Sequence, residues 1–201
     1  MANTNRPEAF AGAFYPREAA ELRKMIDEML SEAQTQTPGS EIFGLAVPHA
    51  GYVYSGPVAA ECFAAVRGKQ YDDVIVIAPS HRTSFRGNSV FSGESYSTPL
   101  GSSRVDVAFA ELICQEAKSE FVRFSTDGHS WRDSAEAEHS LEVQIPFLQV
   151  VLPDVPIVPI VMGTQDAYAC SELVNGIARA LKVSGRKVLV VASSDLSHYK
   201  T

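Results

Sequence analysis

The 201-residue sequence is poor in cysteine, has no surplus of basic charge and contains no long apolar run. Its three cysteines, Cys62, Cys114 and Cys170, are odd in number, widely spaced and form no CxxC pair. That pattern argues against both a disulfide framework and a cysteine zinc site. Each cysteine falls in a segment that reads as helix, where it serves as a small buried hydrophobe, and the expected compartment is reducing. Lys and Arg total 17 against 24 Asp and Glu, giving a net charge of −7. An acidic chain lacks the basic footprint that displaces counterions from nucleic acid, and anionic lipid repels it. No apolar stretch is long enough to span a bilayer. The start, Met1 to Arg6, has no apolar core of a secretory signal, so a cytoplasmic protein is expected.

What is present is an ordinary globular balance, 45% hydrophobic and 20% charged residues, over a length that suits one domain with a sizeable core. Residues 16–30 carry Leu22, Met25, Ile26, Met29 and Leu30 on one helical face, with Pro16 suited to the first turn. Residues 42–47 have strand length and end at Pro48. Residues 57–66 read as a helix capped by Ser55 or Gly56 with Pro57 at its first position. The run Asp73 to Ala78, β-branched and apolar on both faces, predicts a central, doubly covered strand. Residues 84–100 suggest a hairpin or short edge strands. Residues 105–117, 140–151 and 166–181 read as helices. The proline-bearing run 155–161 is expected near a sheet edge, and 187–192 is a second buried strand. Strands alternating with helices predict a single α/β domain with a central, mostly parallel sheet flanked by helices. The chain stops nine residues after a central strand, with no helix to cover it. A C-terminally shortened domain spanning 1–201 is therefore expected.

Three of the five histidines share one context. His49 follows the strand ending at Val47, His81 follows the strand ending at Ala78, and Asp195 and His198 follow the strand ending at Ala192. In parallel sheets the carboxyl ends of neighbouring strands open onto one crevice where ligands bind. Imidazole is a common ligand for zinc, iron and copper, and a nearby aspartate fixes the tautomer of a ligating histidine. Each residue also has a plainer reading: His49 as a loop bridge, His81 as an exposed loop residue, Asp195 as a helix cap. His129, within Thr126-Asp-Gly-His-Ser-Trp131, has turn composition and is expected to face solvent. His139, just before the 140–151 helix, is read as structural or as a contact of the site. Tyr52 and Tyr54 read as packing or pocket wall.

Five blocks carry a resemblance: Arg6-Pro-x-x-x-Ala11-Gly12-x-Phe14-Tyr15-Pro16, Pro48-His-Ala-Gly-Tyr52-x-Tyr54-Ser-Gly56, Pro79-Ser-His81, Glu138-His-Ser-Leu-Glu142-Val-Gln-x-Pro146-Phe147-Leu148 and Ser193-Ser-Asp195-Leu-Ser-His198-Tyr199. In this order they resemble the Memo family, named for a mediator of cell motility driven by receptor tyrosine kinases. The resemblance implies a fold similar to class III extradiol dioxygenases. It implies metal ligation by His49 and His81, with Asp195 and His198 at the positions of the family's nearby Asp and His. Phe14 falls on the family's pocket aromatic, and Tyr54 and His139 are expected to complete the pocket. The family's third ligand is a cysteine in a segment beyond Thr201, and none of Cys62, Cys114 or Cys170 lies in a matching motif.

Two readings follow. In the first, one divalent transition metal, Fe(II) before Cu or Zn, supports oxidative chemistry on a small substrate, with His198 taking a proton and Asp195 orienting it. In the second, the same pocket binds peptides or anionic, phosphorylated ligands without turnover, helped by the amides at the start of the helix near Pro57. A serine hydrolase using Ser193 or Ser194 lacks the Gly-x-Ser-x-Gly elbow that exposes such a nucleophile.

Overall fold

A computed structural model describes residues 5–35, 40–131 and 135–196. Along the chain lie β1 (Asn5–Arg6), α1 (Ala19–Glu32), β2 (Gly44–Val47), α2 (Tyr52–Ala64), β3 (Asp73–Pro79), β4 (Asn88–Phe91), β5 (Ser95–Thr98) and β6 (Gly101–Arg104). There follow α3 (Val107–Ala117), β7 (Val122–Ser125), a 3-10 turn (Glu142–Gln144), α4 (Ile145–Val151), β8 (Ile157–Met162), α5 (Ala167–Ser184) and β9 (Val188–Ser193).

The β-branched run of β3 sits in the interior of a six-stranded sheet of order β2-β9-β3-β8-β4-β7. β2, β9, β3 and β8 are mutually parallel; β4 runs antiparallel to β8 and parallel to β7. One face of the sheet sends Val74, Val76, Leu189 and Val191 into a core with Leu22, Ile26, Phe63 and Phe147 from α1, α2 and α4. The other sends Ile75, Val158 and Ile160 against Phe109, Ile113, Leu173 and Ile177 from α3 and α5. Val74, Ile75 and Val76 are wholly buried; each contributes up to about 1.5–3 kcal/mol by leaving water, an upper bound. A small second sheet, β1-β5-β6, lies apart from the first. This is the mostly parallel α/β architecture expected. Among the described residues no helix is long and apolar enough to cross a membrane.

Several local expectations are corrected. α2 begins at Tyr52, not at Pro57. Tyr52 is pulled into the core, its N–H donating to the Phe14 carbonyl (2.8 Å) and its hydroxyl to the Val143 carbonyl (2.7 Å). Pro57 is therefore interior, and the donor it denies the preceding turn is missing on an exposed face where water is at hand. The anion seat expected at the start of a Pro57 helix consequently does not exist there. β8 is not an edge strand but lies between β3 and β4. Val74 N and Ser80 N bond the carbonyls of Pro156 and Met162. Even-numbered residues of β8 thus face β3, and the missing N–H of Pro159 points to the other side. There the β4 ladder covers only residues 160–162, so the proline interrupts no hydrogen bond. β4 joins the main sheet, leaving β5 and β6 as the hairpin. The first turn of the expected 140–151 helix is a 3-10 turn, and α1 starts at Ala19, after Pro16.

Candidate metal centre

Because β2, β9 and β3 are neighbours and parallel, their carboxyl ends bring His49, Asp195 and His81 to one end of the sheet. His139 reaches the same place from the loop before the 3-10 turn. The ring centroids are 5.2 Å apart for His49 and His81, 4.7 Å for His81 and His139, and 5.7 Å for His49 and His139. One ring nitrogen from each lies within 4.8 Å of the other two.

Two of the three rings are held from behind by hydrogen bonds. His81 Nδ1 lies 3.0 Å from Glu138 Oε1, and the His81 backbone N–H donates to Glu138 Oε2 at 2.5 Å. The backbone N–H groups of His139 and Ser140 donate to Oε1 at 2.9 and 3.0 Å. Burial alone would raise the Glu138 pKa, but the His81 ring and these backbone donors win and hold it at about 2. Glu138 is thus a carboxylate at neutral pH, and its hydrogen bond raises the pKa of His81 against partial burial. His49 Nδ1 lies 3.0 Å from Ser193 Oγ, and the His49 backbone N–H donates to Asp195 Oδ1 at 2.7 Å. Burial lowers the His49 pKa, with Asp195 opposing. Burial also pushes His139 down to about 4, against the nearby Glu138 charge. His49 and His139 therefore present neutral imidazoles, the form that ligates metals.

One wall is aromatic. Phe14 stands 4.6 Å from the His139 ring and Phe10 5.5 Å from it, centroid to centroid. Both belong to the segment after β1, which is tied down by a buried pair: Arg6 Nη1 donates to Glu142 Oε2 at 2.6 Å. Glu142 Oε1 also accepts from Phe10 N (2.8 Å) and from the Tyr15 hydroxyl (2.6 Å). Tyr54, expected in the pocket, is 84% exposed in the first turns of α2. His198 lies outside the described residues. His129, expected to face solvent, is instead buried. Its Nε2 donates to the Ser89 carbonyl (3.1 Å), its Nδ1 accepts from the Tyr96 hydroxyl, and burial pushes its pKa down to about 3. Sequence reasoning missed Glu138 and Ser193 as supports of the rings. The signal available was their place beside the histidine-bearing motifs, Glu138 directly before His139 and Ser193 two residues before Asp195.

These residues suit a metal ion. Tetrahedral zinc or a comparable ion, with nitrogen ligands about 2.0–2.1 Å away, sets its nitrogens about 3.3 Å apart. The limit of 4.8 Å here requires only a modest inward turn of the rings. A carboxylate behind one ligating ring and a hydroxyl behind another are the outer partners such sites use. The cysteines Cys62, Cys114 and Cys170 are free, one each in α2, α3 and α5.

Comparison with known proteins agrees with the motifs that build this site. The profile of the Memo-like protein family matches residues 6–201. A MEMO1 family protein of Pyrobaculum aerophilum is 40% identical over 205 aligned residues, covering 97% of this chain and 69% of the relative. One from Methanococcoides burtonii is 38% identical over 195, covering 96% of this chain and 68% of the relative. Methanobrevibacter smithii has another at 36% identity, covering 98% and 70%. The chain belongs to the Memo-like family.

Proposed function

We propose that this chain is a metal protein in which His49, His81 and His139 hold one divalent transition-metal ion, Fe(II) before Cu or Zn, for oxidative chemistry on a small substrate. The observation that carries the reading is the convergence of three imidazole nitrogens within 4.8 Å, two of the rings backed by oxygen partners. A bound ion supplies Lewis acidity and, if redox-active, electron exchange with dioxygen and substrate. The chain's own residues do the rest. Phe10 and Phe14 wall the site on the His139 side with apolar edges. Asp195 orients the His49 loop through the backbone N–H and sets a carboxylate oxygen 3.9 Å from His49 Nε2. In the expected role His198 receives the substrate's proton. The likeness to extradiol dioxygenases that the Memo resemblance implies supports this assignment by analogy of fold, and fold alone does not carry activity.

The second reading, a pocket for peptides or anionic ligands, is favoured by Tyr54, a large aromatic left in water two residues after the buried Tyr52. Equilibrium dialysis against Fe(II), Cu(II) and Zn(II), anaerobic for iron, separates the two. The metal reading expects one equivalent bound, with His49→Ala, His81→Ala and His139→Ala each weakening binding at least about tenfold. Binding that is absent, or indifferent to all three substitutions, favours the pocket reading.

A further inference from the structure

We infer that Ser193, held by Gln144, is a positioning residue that fixes the tautomer of His49, so that the ring faces the centre with an Nε2 lone pair. The donors and acceptors around the Ser193 hydroxyl decide the tautomer. Gln144 is buried and points one side-chain atom at both the Pro48 carbonyl (3.0 Å) and Ser193 Oγ (2.8 Å). A backbone carbonyl only accepts, so that atom is the amide nitrogen, and it donates to Ser193 as well. Ser193 Oγ also lies 2.6 Å from the Ser140 carbonyl, again an acceptor only. The single hydroxyl hydrogen of Ser193 is therefore committed to Ser140, and one lone pair is taken by Gln144. What remains for His49 Nδ1, 3.0 Å away, is a lone pair. His49 Nδ1 must carry the hydrogen, and in the neutral ring Nε2 must not.

Chemically, the two acceptors that begin the deduction are main-chain atoms at opposite edges of the site, at the end of β2 and just before the 3-10 turn. The tautomer is thus dictated by the fold. Ser193 is the last residue of β9 and Gln144 the last of the 3-10 turn, so a strand and a turn meet at one hydroxyl. All these side chains are buried, and the Ser193 hydroxyl has its hydrogen and both lone pairs committed. An Nε2–H tautomer would place a donor toward the centre and leave Nδ1 facing an oxygen with no hydrogen to offer, a cost on the order of 1–3 kcal/mol. A second lock works in parallel at His81: the two oxygens of Glu138 already accept backbone N–H groups from His81, His139 and Ser140, and Oε1 accepts from His81 Nδ1 in the same way. Both rings consequently meet a cation through Nε2.

The inference bears on the proposed metal site, yet its first test needs no metal. Long-range proton–nitrogen spectra of 15N-labelled, metal-free protein distinguish a pyrrole-like ring nitrogen from a pyridine-like one. His49 is expected to show a pyrrole-like Nδ1 and a pyridine-like Nε2; the reverse assignment overturns the inference whatever the protein binds. In Ser193→Ala, which removes the hydroxyl but no backbone atom, both tautomers are expected. Co(II) affinity, read by optical titration, is expected to fall at least about tenfold. A Ser193→Ala protein with a wild-type amide spectrum, His49 still in one Nδ1–H tautomer and unchanged Co(II) affinity would also overturn it. If wild-type protein shows the expected tautomer and takes up no Co(II), the lock stands and the metal reading fails. Should Ser193→Ala not fold, the wild-type spectrum decides.

Discussion

Replacing Arg6 by methionine tests how the N-terminal segment is held over the site. Arg6 and Glu142 are both essentially out of solvent, 1% and 0% exposed at their side chains. The guanidinium bonds Glu142 (2.6 Å), the Glu138 carbonyl (2.7 Å) and the His129 carbonyl (3.2 Å), and lies over the Tyr96 ring at 4.8 Å. Methionine keeps much of the apolar stem but leaves Glu142 a buried carboxylate without its cation. Removing one partner of such a pair costs about 3–5 kcal/mol. Four abandoned carbonyls, of Pro7, His129, Ser130 and Glu138, add to this, while the donors from Phe10 and Tyr15 that stay on Glu142 reduce it. The expected loss, about 3–5 kcal/mol, is a large part of the roughly 5–15 kcal/mol that keeps a domain folded. Urea unfolding followed by circular dichroism measures it, read from the midpoint at unchanged slope. Because Phe10 and Phe14 belong to the same segment, the variant is also expected to loosen the aromatic wall against His139. A loss below about 1 kcal/mol, the range of exposed pairs, would mean that the buried pair does not hold this segment.

Two further predictions concern stability away from the site. Asp73 is buried at the start of β3, shares Arg186 Nη1 with Asp106 and leaves its own Oδ1 without a partner. Burial raises its pKa to about 6 against the pull of Arg186. The folded state holds a proton that the unfolded state has lost, so this stability is full below about pH 4 and lost as pH rises through about 6. Relative to Asp73→Asn, the wild type is expected to weaken by roughly 2–3 kcal/mol between pH 4 and 7; parallel stability curves would count against it. His129 pulls the other way, since burial holds its pKa near 3. Its contribution is full above about pH 6.5 and lost as pH falls toward 3, so the comparison must be made between variants. Finally, a Cβ at Gly163 would sit 2.3 Å from the Phe85 carbonyl oxygen, a backbone atom that cannot swing aside. Gly163→Ala is expected to cost about 1–3 kcal/mol in thermal or urea unfolding, and a neutral result would show that the Phe85 loop yields.

Much of the architecture and two of the three clustered histidines were legible in the sequence, for identifiable reasons. His49 and His81 stand just after apolar runs whose length and branching mark them as strands, and parallel neighbours must bring such ends together. His139 left no comparable signal. It lies in a loop leading to a 3-10 turn, where neither the helical nor the strand period operates. Its place is set by Glu138 receiving backbone N–H groups, a tertiary event. His129 misled because turn residues around it describe the backbone, whereas its burial comes from Tyr96 and Ser89, distant in sequence. Pro159 of β8 misled because edge strands are only one way to spare a missing N–H. A gap in the neighbouring ladder is another, and that depends on register. The early start of α2 likewise depends on where the Tyr52 hydroxyl lands, which composition does not encode.

The most direct measurement is anomalous diffraction from crystals of this protein soaked in Co(II) or Zn(II), recorded at that metal's absorption edge. One strong peak is expected, bonded by Nε2 of His49, His81 and His139, with the His49 Nδ1–Ser193 and His81 Nδ1–Glu138 contacts intact. No peak at this site, or an ion that leaves His139 outside bonding distance, would contradict it.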